Sequence, residues 1–356
     1  MSRHPLLKLA NDRKVRQASE FRAAAEGLSG EQLAVLYRQE VESAPRRRAA
    51  GLSYLAPYSR RLSGARRKKR DDEHLAVALV EHFRKTAQGL ELPDGGRFEP
   101  VHGPVPLASA DPEKQTGEDD PNWGVGDLSL LGLGPGDRLT AVQIRFVEPE
   151  ATRPGVGETP LRATLCALAH AAIAWANRAE LKEELGAAGV RAPSDEPPLV
   201  LVIATPRYWK LCRKREAQKG AAWIKEHERL ARELEEETGV RLLFLSIDLD
   251  GDPGWSYAEG LPALDAPPRL RPAWEPGAGR VRPKPRPKPT PEAEPVVEAD
   301  LTRPPRSYAI SETFASGDRI EHPTLGPGVV QGDAGPGKIH VLFDERKVLL
   351  VHGRGT

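Results

Sequence analysis

Apolar residues recur at helical spacing in DDEHLAVALVEHFRKTA, where Leu75, Leu79, Val80 and Phe83 form one stripe. This predicts an amphipathic helix, with acids in its first turn where the helix dipole favours them. After a Pro-, Gly- and acid-containing loop over 89–124, the pattern changes to two strands in VGDLSLLGLGPGDRLTAVQIRF, joined through the turn signal LGPGD. LRATLCALAHAAIAWANRAELKEEL predicts a helix that is apolar nearly all round at its start and therefore buried. PPLVLVIATP and VRLLFLSIDL are continuous apolar strands, which need cover on both faces of a sheet. Between them RKREAQKGAAWIKEHERLARELEEETG is amphipathic, with Ile224, Ala231 and Leu234 on its stripe and a helix stop at Gly239. The order helix, strand, strand, helix, strand, helix, strand predicts an α/β domain over 71–264, a mixed central sheet flanked by helices. Upstream, SGEQLAVLYRQEVES carries a Ser29 cap and an apolar face of Leu33, Leu36, Tyr37 and Val41. Downstream, 12 prolines over residues 265–306 predict a stiff, extended linker. Over 307–356 short apolar strands alternate with glycine-rich turns, with Ile339, Val341 and Phe343 on one face and Lys338, His340 and Leu342 on the other. Gly326, Gly328, Gly335 and Gly337 mark turns that favour positive φ, and the whole predicts a small five-strand barrel.

Composition adds an asymmetry. The 356 residues carry a net charge of +1, but residues 1–70 hold 17 Lys and Arg against 6 Asp and Glu, leaving the remainder about −10. A basic helical or disordered arm over 1–70, set on a mildly acidic body, points to an anionic partner. Within it, residues 43–70 contain ten basic residues and no acid: Arg46, Arg47, Arg48, Arg60, Arg61, Arg66, Arg67, Lys68, Lys69 and Arg70. Charge of that density predicts an exposed segment, suited to neutralising the phosphates of a nucleic acid or serving as a solubilising linker. No apolar run reaches the roughly 18 residues of a membrane span, and MSRHPLLKLANDRK lacks a signal-peptide core. Cys166 and Cys212, the only cysteines, lie in core-like segments and predict reduced thiols in a cytoplasmic protein.

The layout of residues 71–249 resembles the PD-(D/E)XK nuclease superfamily, with its acid-bearing helix, strands carrying Asp and then (D/E)-x-K, a helix and a further strand. Mapped onto this sequence, the resemblance implies a restriction-nuclease-like fold and catalytic positions at Glu81 in VALVEHF, Asp127 in VGDLSLLG, and Gln143 and Arg145 in AVQIRF. Asp127 and Glu81 would be the metal ligands, holding Mg²⁺ through hard oxygens so that a water attacks phosphorus. The sequence departs from the pattern at both later positions. Gln143 is neutral, and Arg145 stays charged at any biological pH, fit to clamp a phosphate but not to act as a base. The implied reading is a degenerate core that binds nucleic acid without efficient cleavage. Its rivals are an active Mg²⁺-dependent nuclease and an adaptor of the transcription or repair machinery that touches no nucleic acid. The plainer reading of Asp127 is a strand-edge acid. Gln143 and Arg145 would share a face simply because strand side chains alternate.

Two other stretches invite chemistry. DLDGDPGWSYAE has calcium-loop spacing at Asp248, Asp250, Asp252 and Glu259, but Pro253 replaces the turn glycine and a strand precedes it, so a solvated turn is expected. RYWKLCRKR mixes Tyr208 and Trp209 with cations, as a nucleic-acid stacking platform would, although core packing is the stronger expectation for Trp209.

The C-terminal stretch GDRIEHPTLGPGVV resembles the Tudor/SH3-like modules of CarD-type transcription regulators and of the C-terminus of UvrD/PcrA helicases. The matching residues are Gly317, Asp318, Ile320, His322, Pro323, Gly326, Gly328, Val329 and Val330, followed by Lys338, Ile339, Val341 and Phe343. The resemblance implies a barrel that docks on a protein partner such as RNA polymerase or a repair protein. His322 is expected to be a turn residue whose ring bonds backbone.

Overall fold

The computed structural model describes residues 3–56, 71–110, 117–215, 222–258, 260–275, 296–344 and 346–354. They fall into two compact units, Met1–Arg282 and Pro283–Thr356.

The larger unit opens with α1 (Pro5–Ala10), α2 (Arg13–Arg16), α3 (Phe21–Glu26) and α4 (Gly30–Glu42). Ser29 caps α4 as expected: its hydroxyl accepts from the Gln32 amide while the Gln32 side chain accepts from the Ser29 N–H. The described part of the expected arm is not separate from the body. Leu6, Leu7, Val15, Phe21, Leu33, Tyr37 and Tyr54 are buried in the same core as the central sheet. The apolar faces of these helices outweigh their surface charge, because each buried large side chain contributes on the order of 2 kcal/mol.

Next come α5 (Asp71–Thr86), β1 (Leu90–Glu91), β2 (Arg97–His102), β3 (Val105–Pro106), β4 (Asp127–Leu128), β5 (Leu130–Leu133) and β6 (Leu139–Arg145). The long apolar helix divides at Asn177 into α6 (Pro160–Ala176) and α7 (Arg178–Ala187). The Asn177 amide donates to the carbonyls of Ile173 and Pro45, closing α6 and tying it to the N-terminal segment. The chain continues through β7 (Leu199–Ala204), α8 (Pro206–Arg215), α9 (Trp223–Thr238) and β8 (Arg241–Asp248), then β9 (Trp255–Ala258), β10 (Leu261–Leu264) and β11 (Arg269–Pro272). Gly239 ends α9 in the left-handed region, with φ 71°. Tyr208 and Trp209 on α8 are buried, and the Trp209 indole donates to the Leu245 carbonyl. Core packing therefore accounts for both.

Seven strands form the large sheet in the order β1-β2-β5-β6-β7-β8-β11. β6, β7 and β8 are parallel, and the remaining neighbours are antiparallel. All of β7 is buried, as an apolar strand covered on both faces must be. One face, through Val200, Val202 and Ala204, packs with α6 and the N-terminal helices. The other, through Leu199, Leu201 and Ile203, packs with α5. The outermost strands β1 and β11 approach one another without pairing, so the sheet curls around α5. β11 corrects the expected linker boundary at 265. It pairs with β8, and Trp274 just beyond it is buried among Trp209, Trp223 and Phe244. The proline-rich run RVRPKPRPKPTPEAEP lies outside the described residues.

The smaller unit contains β12 (Arg306–Ser307), β13 (Arg319–His322), β14 (Gly326–Asp333), β15 (Lys338–Phe343) and β16 (Arg346–Val351), in one sheet of that order. Its core is Phe314, Ile320, Val330, Ile339, Val341 and Phe343, on the face expected from alternation. His322 Nδ1 accepts from the Thr324 and Leu325 amides, as a turn residue should. Gly328 differs from the turn glycines. It lies within β14, where an added Cβ would sit 2.6 Å from the Phe343 ring. Close packing, not a positive φ, requires it.

Candidate functional site

Asp127 pairs with Pro106 on the short ribbon β3–β4, just before β5. The β5–β6 register sets Leu130 opposite Val142. One step further, the residue meeting Gln143 is Ser129: the Gln143 amide donates to Ser129 Oγ at 2.9 Å. Gln143 is only 5% exposed, and its Oε1 accepts no hydrogen bond among the described residues.

Arg145 is spent internally. Its Nε donates to Glu158 at 3.1 Å, and its Nη1 reaches Asp72 at 3.4 Å and the Ile144 carbonyl at 2.8 Å. Glu158 also binds Arg162, one turn into α6. Two guanidinium groups and two carboxylates thus neutralise one another. Burial alone would favour discharging Arg145, but Glu158 and Asp72 outweigh it and hold the proton more tightly than in free arginine. Asp72 sits at the start of α5 and also accepts the Phe146 amide at 2.5 Å. Its side chain retains 38% exposure at one edge, yet burial of its carboxyl pushes its titration upward, partly offset by Arg145.

The acids expected to hold a metal are not paired with each other. Glu81 accepts from Arg84, one turn along α5, at 2.9 Å. The α5 acid whose field reaches Asp127 is Glu73, about 12 Å back along the helix axis from Glu81 at 1.5 Å per residue. Asp127 lies at the surface, but the protein around its carboxyl raises its titration, Glu73 raises it further, and Arg47 opposes both. No three His, Cys, Asp or Glu side chains converge as a metal group among the described residues. Gln143, buried against Ser129, adds no exposed oxygen to them. Nor does the α6 face offer a nucleophile. Burial pushes the Cys166 thiol up, and burial together with Arg145 lowers His170 to about 4, leaving it neutral.

Each arginine of the first basic cluster has a partner within the fold. Arg46 donates to the Ala176 carbonyl at the end of α6. Arg47 donates to the carbonyls of Ser53 and Ala108. Arg48 lies 3.6 Å from Glu184. Arg60, Arg61, Arg66, Arg67, Lys68, Lys69 and Arg70 lie outside the described residues.

Sequence reasoning placed Gln143 and Arg145 on one strand face. It missed Ser129, Asp72, Glu73, Glu158 and Arg162. One signal was present: ETPLR places Glu158 four residues before Arg162 at a helix start. No family model, curated protein or solved structure matches this chain.

Proposed function

We propose that this chain is a nucleic-acid-associated protein whose nuclease-like core holds rather than cuts, linked to a barrel that docks on a protein partner in the cytoplasm. The observation carrying this reading is the fate of Arg145. At the position where the resemblance implies a cation for the phosphate, the guanidinium is bound by Asp72 and Glu158. To clamp a phosphate it would have to abandon a largely buried ion pair. The order α5, β2, β5, β6, α6, β7 supports the likeness to restriction nucleases. SRRLSGARRKKR, with seven basic residues and no acid, supports the phosphate-bearing partner. The motif GDRIEHPTLGPGVV supports the docking role of the smaller unit, with RNA polymerase or a repair protein as its partner class.

The test combines cleavage with binding. Incubated with plasmid and Mg²⁺ or Mn²⁺, the protein should leave the DNA intact, and Asp127→Ala should change nothing. Its affinity for DNA should fall steeply with salt, by about 0.7–0.9 log units per phosphate contact for each decade. Deleting residues 57–70 should weaken binding and flatten that slope. Cleavage abolished by Asp127→Ala would make the protein a working nuclease instead. A salt-independent or absent interaction would leave an adaptor without nucleic-acid contact.

A further inference from the structure

The two edges of the large sheet meet at a groove of about 690 Å³, lined by Arg97 beside β1 and by Arg269 and Arg271 on β11. We infer that this seam is where the protein holds a single strand of nucleic acid by its phosphates. The inference rests on the proposed function and names its contact surface.

Charge is the first argument. Elsewhere in this unit Arg145, Arg162, Arg229 and Arg241 are spent on carboxylates. At the seam Arg97 and Arg269 are exposed and make no salt bridge among the described residues. Arg271 pairs with Asp248 at 2.7 Å but keeps 64% of its side chain exposed. Against these stands one lining acid, Glu91. His82, also lining the groove, is held toward its neutral form by burial, so the positive charge comes from groups that do not titrate near neutrality. Arg97 and Arg269, without a salt bridge among the described residues, present guanidinium forks that a phosphate satisfies bidentately.

Backbone shape is the second. A side chain at position 89 would lie 2.6 Å from Cγ of Arg97, so Gly89 leaves room for the Arg97 stem at the groove wall. β1 pairs only with β2 and β11 only with β8, which leaves two facing edges unpaired. Such edges ordinarily capture a peptide strand. Here Pro267 and Pro268 supply no N–H along the approach to β11, which disfavours a peptide and leaves the arginines as the recognising groups. A groove between two sheet edges suits one backbone threaded along it.

The experiment uses the full chain and a fluorescent oligo-dT of about 16 nucleotides. In Arg97→Gln/Arg269→Gln, two lost contacts should reduce the log–log salt slope by about 1.4, at about 0.7 per single-strand phosphate. Affinity at low salt should fall at least tenfold. Both sites are exposed, so the melting temperature should not move, and Arg97→Lys/Arg269→Lys should restore most of the slope. If wild type binds with a steep slope and the glutamine variant binds identically, the seam is overturned while the proposed function stands. If wild type binds no nucleic acid at all, the proposed function falls and takes the seam with it. Tighter binding of a duplex, equally reduced by the variant, would overturn the single-strand assignment.

Discussion

At Arg145 the chain sets a guanidinium against two carboxylates with only 14% of the arginine side chain exposed. Breaking a buried pair by removing one partner costs about 3–5 kcal/mol. Asp72 and Glu158 retain 38% and 20% exposure, so water recovers part of that. Arg145→Met should therefore lower stability by about 2–3 kcal/mol in urea denaturation, while nucleic-acid affinity stays within error. A drop in affinity without loss of stability would mean that the guanidinium faces phosphate after all. Two residues earlier the balance differs. Gln143→Met forfeits a bond to Ser129 but also removes a buried carbonyl that has no partner among the described residues. Those effects are of similar size and opposite sign, so stability should change by less than about 1 kcal/mol. The pairing of positions 143 and 145 on one face was legible from strand alternation. Their partners were not, because Asp72 lies 73 residues from Arg145 in sequence and no local pattern reports that meeting.

Among elements, α1 and α4 show why the N-terminal segment joins the body. His4 and Glu40 are fully buried and bonded at 2.6 Å, and the second His4 ring nitrogen meets the Pro121 carbonyl at 2.7 Å. A carbonyl only accepts, so that nitrogen carries a proton, and the other shares one with Glu40. Burial alone would lower the His4 titration, but the bonds to Glu40 and Pro121 outweigh it and raise it above 6.5. A histidine raised on folding contributes its full stability below the unfolded value of 6.5 and loses it as pH rises through the folded value. Urea midpoints should therefore fall on going from pH 6 to pH 9, and His4→Gln should remove that dependence; an unchanged profile in the variant would refute the pair's role. This docking is hidden in the sequence because the segment's net charge points to solvent, not to packing. Charge averages over a segment, whereas Leu6, Leu33 and Tyr37 act through one face. The order of α5, β5, β6, α6, β7, α9 and β8 was legible because each keeps its own period, whereas β1, β2 and β3 fall within 89–124, where the prolines, glycines and acids point to a loop. In β14 the residue type alone marks Gly328 as a turn glycine, whereas contact with Phe343 is what requires it. Gly328→Ala should destabilise the small unit by about 1–3 kcal/mol, as overpacking does, measured by thermal melting of that unit.

For the whole molecule, the deciding question is where the larger unit ends. Composition puts its end at residue 264, because prolines dominate from there on. Proline content alone cannot distinguish a linker from an edge strand, since proline is tolerated on an edge where no N–H is needed. β11 is such an edge: Pro272 stands opposite Leu245 at the end of the strand. The Trp274 ring lies 5.4 Å from those of Trp209 and Trp223 and 5.0 Å from Phe244, and its indole donates to Glu228 at 3.0 Å. Two truncations separate the alternatives. A chain ending at 275 keeps the strand and the ring, and should unfold in urea with the midpoint that the larger unit shows in the full protein. A chain ending at 264 strips the outer edge of β8 and opens the aromatic cluster. Losing a buried tryptophan alone costs about 3–5 kcal/mol, a large share of the 5–15 kcal/mol that typically holds a domain. That shorter chain should be unstable or aggregate through the bared edge of β8. Equal midpoints for the two would show that β11 and Trp274 are appended to the fold, not part of it, and the seam built on β11 would lose its second wall.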